Sequence, residues 1–165
     1  AMGLPQFMPT SWERFAVDFD SDGKIDLLGS ATDAIGSVAN YLKAYGWQNN
    51  MPTHYPARFD EAALDLDSLL APDILPSFSV ASLEAKGVRL DDEARRHNGL
   101  LALVQLHNGD PANGGAAPSY VIGTDNFYTV TRYNWSSYYA LAVIELGQTV
   151  ARERAAQMST SKSSD

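Results

Sequence analysis

Nine residues, Asp18-Phe19-Asp20-Ser21-Asp22-Gly23-Lys24-Ile25-Asp26, hold the densest chemistry in this chain. Carboxylates at alternate positions repel one another unless a cation lies among them, and the Gly that follows permits the sharp turn of a calcium loop. A hard dication takes six to eight oxygens at about 2.3–2.6 Å. Asp18, Asp20 and Asp22 would supply side-chain oxygens and Lys24 its backbone carbonyl, so a structural Ca2+ site is expected here. The twelfth position is Gly29 rather than a bidentate Glu. Asp33, four residues later, is expected to close a lengthened loop over 18–33. The competing reading is a solvated Asp/Gly turn, which three acids at this spacing followed by Gly make the weaker of the two.

Other catalytic schemes find no support. His54, His97 and His107 are scattered, without the i,i+4 or HExxH spacing that zinc requires. No G-x-S-x-G elbow is present, and Gly114-Gly115 lacks the Lys-Ser/Thr that completes a phosphate loop. The chain has no cysteine, which removes thiolate ligands and a thiol nucleophile. The acidic stretch 60–73 reads as solvated surface.

The elements that must position these groups follow from periodicity and turn residues. A short helix is expected from Thr10 or Ser11, either of which can cap it, with Glu13 in the first turn. Over 33–45, Ile35, Val38, Ala39, Leu42 and Tyr45 recur at helical spacing, and Gly46 stops the helix. Small residues Gly36, Ser37 and Ala39 invite close approach of another backbone. The prolines and acids of 47–76 predict an irregular surface excursion with a short helix within 60–70. A short helix over 79–86 ends at Gly87. Leu100–Leu106 predicts a strand with Tyr120-Val121-Ile122 as its hairpin partner. One or two helical turns are expected over 125–133, then a long helix over 136–156 with Ala140, Val143, Ile144, Gly147, Val150 and Ala151 on one face. The fold class is therefore α+β, mainly α-helical, with 1–156 as one domain, a small-sheet insertion at about 48–123, and 157–165 as a disordered polar tail.

Three stretches carry a resemblance: Ala1-Met2-Gly3-Leu4-Pro5-Gln6-Phe7-Met8-Pro9-Thr10-Ser11-Trp12, then Asp33-Ala34-Ile35-Gly36-Ser37-Val38-Ala39-Asn40-Tyr41, then Thr131-Arg132-Tyr133-Asn134-Trp135-Ser136. Together they resemble the lytic murein transglycosylases of the membrane-bound B type. The acidic loop falls where that family carries an elongated EF-hand-like loop, and Asn126–Val130 and Leu146-Gly147-Gln148 also fit. Between about 48 and 119 only general character agrees.

The resemblance implies a lysozyme-like fold and cleavage of the MurNAc–GlcNAc bond of peptidoglycan without water. In that chemistry one Glu protonates the glycosidic oxygen, the N-acetyl group assists, and the Glu then takes the proton of the C6 hydroxyl as a 1,6-anhydro ring closes. A lone carboxylate replaces the usual glycosidase pair. The family's Glu lies upstream of a Gly-Ala-Met-Gly stretch inside which this chain begins. None of the six glutamates, Glu13, Glu61, Glu84, Glu93, Glu145 and Glu153, stands in a comparable motif. The expectation is a C-terminal part of the enzyme with no catalytic residue in this chain, inactive alone.

By match to the family, Gln6 would bond the sugar beside the cleaved bond, and Tyr41, Tyr133, Asn134 and Tyr139 would line glycan subsites. Each has a structural alternative: Tyr41 and Tyr139 as helix packing, Asn134 as a cap. Gln6 has the least obvious one, and Phe7, Met8 and Trp12 are read as packing. The implied partner is peptidoglycan glycan strands, and the implied setting is periplasmic or outer-membrane-associated. Two rival functions remain: a non-catalytic, calcium-stabilised glycan-binding module, and a muramidase that uses water.

Composition sets the outer limits. At 165 residues the chain is about one domain long, and 45% hydrophobic against 19% charged is a globular balance. Twelve basic against twenty acidic side chains give a net charge of −8. Without a basic face, nucleic-acid binding is excluded as a class. No apolar run reaches the roughly 20 residues of a membrane span. If further helices complete this core, the apolar faces of 34–45 and 139–151 should lack partners here.

Overall fold

The computed structural model describes residues 1–162. The chain divides into two compact units, Ala1–Asn49 and Asn50–Asp165.

The first unit opens with a tight turn in which Met2 and Phe7 pair as an antiparallel bridge. Gly3 (φ +68°) is required there: a Cβ would lie 2.4 Å from the Leu27 carbonyl oxygen. Helix α1, Pro9–Phe15, is capped by Met8 with Pro9 in its first turn, not by Thr10 or Ser11. Proline lacks the N–H that an initial residue cannot use, and its fixed φ suits the first turn. Helix α2, Ala31–Ala44, starts two residues before the expected Asp33, because Ser30 Oγ accepts the Asp33 N–H.

Helix α2 does not bury the face its periodicity suggests. Asp33, Ala34, Gly36, Ser37 and Tyr41 are buried, whereas Ile35 is 68% exposed and Ala39 is also exposed. The polar residues at 33, 37 and 40 explain this choice. Asp33 binds the amides of Phe19 and Asp26, Ser37 Oγ accepts the Val17 N–H at 2.9 Å, and Asn40 donates to the Phe15 carbonyl at 3.0 Å. They fasten segment 15–26 onto the helix. Gly36 lets the Phe19 ring lie against it, since a Cβ there would come within 2.3 Å of that ring. Phe7, Phe15 and Tyr41 pack beneath, with Tyr41 edge-on to Phe15 at 5.0 Å and stacked on Tyr45 at 4.5 Å.

The second unit contains the main hydrophobic core, and two of its residues, Tyr55 and Leu69, come from the 47–76 segment that composition suggested was a surface excursion. Tyr55, Leu69, Leu83, Val88, Leu90, Ala94, Leu101, Leu103 and Ile122 form one buried cluster. Short elements supply them: β1 (His54–Pro56), β2 (Arg58–Phe59), α3 (Leu66–Leu70), α4 (Val80–Ala85), β3 (Val88–Arg89), α5 (Asp92–Arg95) and β4 (Ala102–Asn108). Asp65, Ser79 and Asp91 cap α3, α4 and α5. The acids of 60–73 are indeed surface groups, with Asp60 paired to Arg89 and Asp65 to Lys86.

The expected hairpin is present. Strand β4 pairs antiparallel with β5 (Ala116–Gly123), setting Leu103 opposite Ile122 and Gln105 opposite Tyr120. A third strand, β1, joins the other side of β5, and β2 pairs with β3 in a separate small sheet. Proline at 56 obscured β1, but it is an edge strand, where a missing N–H is tolerated.

Helix α6 (Asp125–Asn134) leads into α7 (Ser137–Lys162). The latter continues six residues past the expected end at Ala156; of the expected disordered tail, 163–165 lie outside the described residues. On α7 only Ala140 and Ile144 of the expected face are buried, while Val143, Leu146 and Val150 are 42–65% exposed.

Candidate functional site

Two constellations stand out, one in each unit.

In the first unit, Asp18, Asp20 and Asp22 bring one carboxylate oxygen each within 4.8 Å of the others. Asx-type bonds wind this loop tightly. Asp18 accepts the Gly23 N–H at 2.9 Å and Asp22 accepts the Lys24 N–H at 2.8 Å. Asp26 then turns the exit, accepting the N–H groups of Leu28 and Gly29. Three hard oxygens converging at an exposed turn suit a dication with oxygen preference. Asp33 is placed differently from those three. Its Oδ1 accepts from Phe19 N–H and its Oδ2 from Asp26 N–H, both at 2.8 Å, so it joins the two ends of the loop through the backbone. These amides hold its carboxyl below the usual range: Asp26 contributes most, then Phe19, against an opposing effect of burial.

Gln6 and Tyr41 belong to the same unit. Gln6 is exposed in a left-handed conformation (φ 53°), and its side-chain amide donates to the Gly3 carbonyl at 2.8 Å. One amide hydrogen thus closes the turn it sits in. Tyr41 is buried in the aromatic cluster against Phe7 and Phe15. Two shallow apolar hollows flank the turn. One, of about 390 Å3, is lined by Leu4, Pro5, Ala31, Ala34, Ile35 and Val38. The other, of about 500 Å3, is lined by Met2, Gly3, Pro9, Trp12, Glu13 and Leu28.

In the second unit, the α6–α7 corner collects Tyr133, Asn134 and Tyr139. Helix α6 is held firmly at its start. Thr124 Oγ1 donates to the Pro52 carbonyl at 2.7 Å and accepts the Asn126 N–H, while Asn126 donates to the Met51 carbonyl. Phe127 is fully buried beneath. At its far end Trp135 turns left-handed (φ 50°, ψ 38°) and its N–H returns to the Thr131 carbonyl. Ser136 Oγ then accepts the Tyr139 N–H to open α7, so Ser136, not Asn134, is the cap. Tyr138 Oη accepts the His107 N–H, tying α7 to the hairpin.

This corner leaves Asn134 exposed, Tyr133 half-buried and Tyr139 47% exposed. Burial, aided by the neighbouring Tyr139, pushes the Tyr133 phenol up to about 12. It is a neutral hydroxyl at any physiological pH. The sequence motif contained a further group that spacing alone could have revealed. Tyr128, Arg132 and Trp135 stand at i, i+4 and i+7, and the Arg132 guanidinium carbon lies 4.1 Å from the ring centres of both Tyr128 and Trp135.

Among the described residues, no carboxylic acid with the setting of a proton donor accompanies either constellation. All six glutamates are exposed, whereas an acid that stays protonated near neutral pH needs an apolar surrounding. Among the described residues no helix is long and apolar enough to cross a membrane.

A transglycosylase SLT domain matches residues 1–148, which include the turn at Gln6, the acidic loop and the α6–α7 corner. The chain is 40% identical over 158 residues to membrane-bound lytic murein transglycosylase B of Escherichia coli K12, covering 93% of this chain and 39% of that protein. The soluble lytic transglycosylase SltB1 of Pseudomonas aeruginosa superposes with a TM-score of 0.75 at 40% identity, covering 94% of this chain and 48% of that one. Slt35 of E. coli, solved in complex with calcium and also with bulgecin A, gives a TM-score of 0.75 at 39% identity over 94% and 45% of the respective chains. The chain thus spans less than half the length of these relatives. The mainly helical fold with a small sheet is that of the lysozyme-like lytic transglycosylases. With the match running through every motif at both ends, the chain belongs to the transglycosylase SLT domain family.

Proposed function

We propose that this chain is the glycan-holding part of a lytic murein transglycosylase that cleaves the MurNAc–GlcNAc bond of peptidoglycan and leaves 1,6-anhydro-MurNAc ends. The observation that carries the reading is the family match over 1–148, a span that includes Gln6, Tyr41, Tyr133, Asn134 and Tyr139. Asn134 presents an amide, and Tyr133 and Tyr139 phenols, at an exposed corner. Such groups fix hydroxyls and N-acetyl groups, while ring faces pack on the apolar face of a pyranose. Gln6 shares its amide between its own turn and the sugar.

Proton transfer in this reading is done by a Glu outside residues 1–165. The exposure of every glutamate in the chain supports that division. The 165 residues alone would then bind glycan without cutting it. The setting that fits is the periplasm, with murein strands as partner.

The acidic loop is proposed to hold Ca2+ through Asp18, Asp20, Asp22 and the Lys24 carbonyl, with Asp33 as the closing carboxylate. The Asp33 carboxylate accepts the Phe19 and Asp26 N–H groups, with a lesser bond from the Asp20 backbone, and a carboxylate has about four lone-pair sites, which leaves capacity for an ion. The ion would supply charge neutralisation for the loop and no chemistry on the sugar.

The test is mass analysis of muropeptides released from purified peptidoglycan by the complete protein. Anhydro-muramyl ends are expected; reducing ends heavier by one water would instead make it a muramidase. The same assay with residues 1–165 should release nothing, and release of anhydro products would overturn the division of labour.

A further inference from the structure

The backbone of Trp135 caps α6, its N–H returning to the Thr131 carbonyl, but that role does not call for an indole side chain. It ends α6 in the left-handed region, a conformation that glycine adopts freely and a bulky residue adopts only under strain. Its side chain is 77% exposed, so burial returns nothing for that strain. A strained, exposed aromatic points to use rather than to packing.

The ring is nevertheless not loose. One face is covered by the Arg132 guanidinium, 4.1 Å from the ring centre, and the same guanidinium lies 4.1 Å from the Tyr128 ring. Tyr128 and Arg132 are half-buried, so the stack rises from helix α6 to the surface in three layers. A planar cation between two aromatic faces is attracted to both, which fixes the angle of the outer ring. Arg132 also donates to Thr131 Oγ1 at 3.2 Å. The indole is therefore pre-ordered, and a ligand meeting it has little rotamer freedom left to freeze.

Polar residues flank Trp135 in the chain. Asn134 precedes it, exposed, and Tyr138 and Tyr139 follow, each 47% exposed. An exposed apolar plate on a corner that also carries an amide and phenols suits a pyranose ring, whose C–H face is apolar and whose rim carries hydroxyls and an N-acetyl group. A peptide carboxylate would seek the guanidinium, which here is enclosed between rings.

We propose that Trp135 stacks on a sugar ring of the glycan, a contact additional to Gln6, Tyr41, Tyr133, Asn134 and Tyr139; this rests on the reading of the α6–α7 corner as glycan-binding. Trp135 is a binding residue in this proposal, and its contribution is to affinity.

The experiment titrates the 165-residue chain with the β-1,4-linked N-acetylglucosamine tetramer and follows the indole N–H signals of Trp12, Trp47 and Trp135 by NMR. The Trp135 signal should move. Trp135→Ala should weaken binding about 5- to 20-fold, and Trp135→Phe about 2-fold. Trp135→Gly relieves the left-handed strain, so it should melt no lower than the parent while binding as weakly as Trp135→Ala. A purely structural residue would not separate those two readouts. If Asn134→Ala weakens binding but all three Trp135 variants bind like the parent, the stack is refuted and the glycan site stands. If neither Asn134 nor Trp135 variants change binding, both readings fall. A Trp135 signal that moves with a murein stem peptide but not with the tetramer also overturns the sugar assignment.

Discussion

The Asp33 carboxylate accepts the Phe19 N–H at 2.8 Å across fourteen residues of chain, and the Phe19 ring in turn fills the space that a side chain on Gly36 would need. The acidic loop is thereby pinned to helix α2 by one charged acceptor and one ring. An Asn at 33 presents one oxygen and one NH2 where two N–H groups point inward. Asp33→Asn should therefore leave either Phe19 or Asp26 facing a donor, and the melting temperature should fall by several degrees, as read by circular dichroism.

Acid should loosen the same clamp. The folded Asp33 carboxyl lies below its ordinary value, and that of Asp65, held by its bond to Lys86 and by Ser68, falls to about 2. For a depressed carboxyl, the stabilisation is complete above the unfolded value of about 3.9 and is lost as pH falls through the folded one. Thermal stability should decline from about pH 4 towards pH 2. In Asp65→Asn that decline should be shallower, because the strongest of these differences is gone; an unchanged slope would count against the assignment.

Calcium should raise the melting temperature and a chelator should lower it again. A ligand at 100 times its dissociation constant adds about 2.7 kcal/mol to the folded state. Asp20→Asn and Asp22→Asn together should abolish the shift while leaving the chelator-treated protein at least as stable, since two mutually repelling charges are removed. Magnesium, which demands stricter geometry, should substitute poorly. No change in scanning calorimetry at saturating calcium would leave only an Asp/Gly turn.

Gly36→Ala tests the close approach of loop and helix. Alanine is the better helix former by about 1 kcal/mol. Here its methyl carbon would lie 2.3 Å from the Phe19 ring, so overpacking should prevail with a net loss of about 1–3 kcal/mol in urea unfolding. Removing the ring as well, in Gly36→Ala/Phe19→Ala, should recover part of the loss.

At the other pole of the pH range, Tyr133 stays protonated until about 12 in the folded chain, against an ordinary 10. The unfolded chain loses that proton first. Stability should accordingly fall as pH rises from about 10 towards 12, and Tyr133→Phe should flatten this limb. Absorbance at the phenolate wavelength would show one fewer late-titrating tyrosine in the variant.

What was legible in the residues was whatever depends on near neighbours. Alternate carboxylates followed by Gly23 determined a turn that gathers Asp18, Asp20 and Asp22, because the spacing alone sets their separation. The apolar run ending near Leu106 and the turn-rich stretch after it determined a hairpin, and Ser79 with Gly87 bounded a helix. The motifs around Gln6 and Asn134 determined the family.

Tertiary structure decided the rest, since these outcomes depend on partners distant in sequence. Helix α2 carries two competing faces, and the choice of the Asp33–Ser37–Asn40 side over Ile35 and Ala39 was made by amides and a carbonyl twenty-odd residues away or nearer in the loop. The proline-broken stretch around Tyr55 became core because β5 offered an edge to pair with and Leu103 and Ile122 a surface to bury against. The Tyr128–Arg132–Trp135 group is the exception: its members lie within two turns of one another, so the i, i+4, i+7 spacing was legible, and the tertiary structure decided only that the Trp135 ring stays exposed.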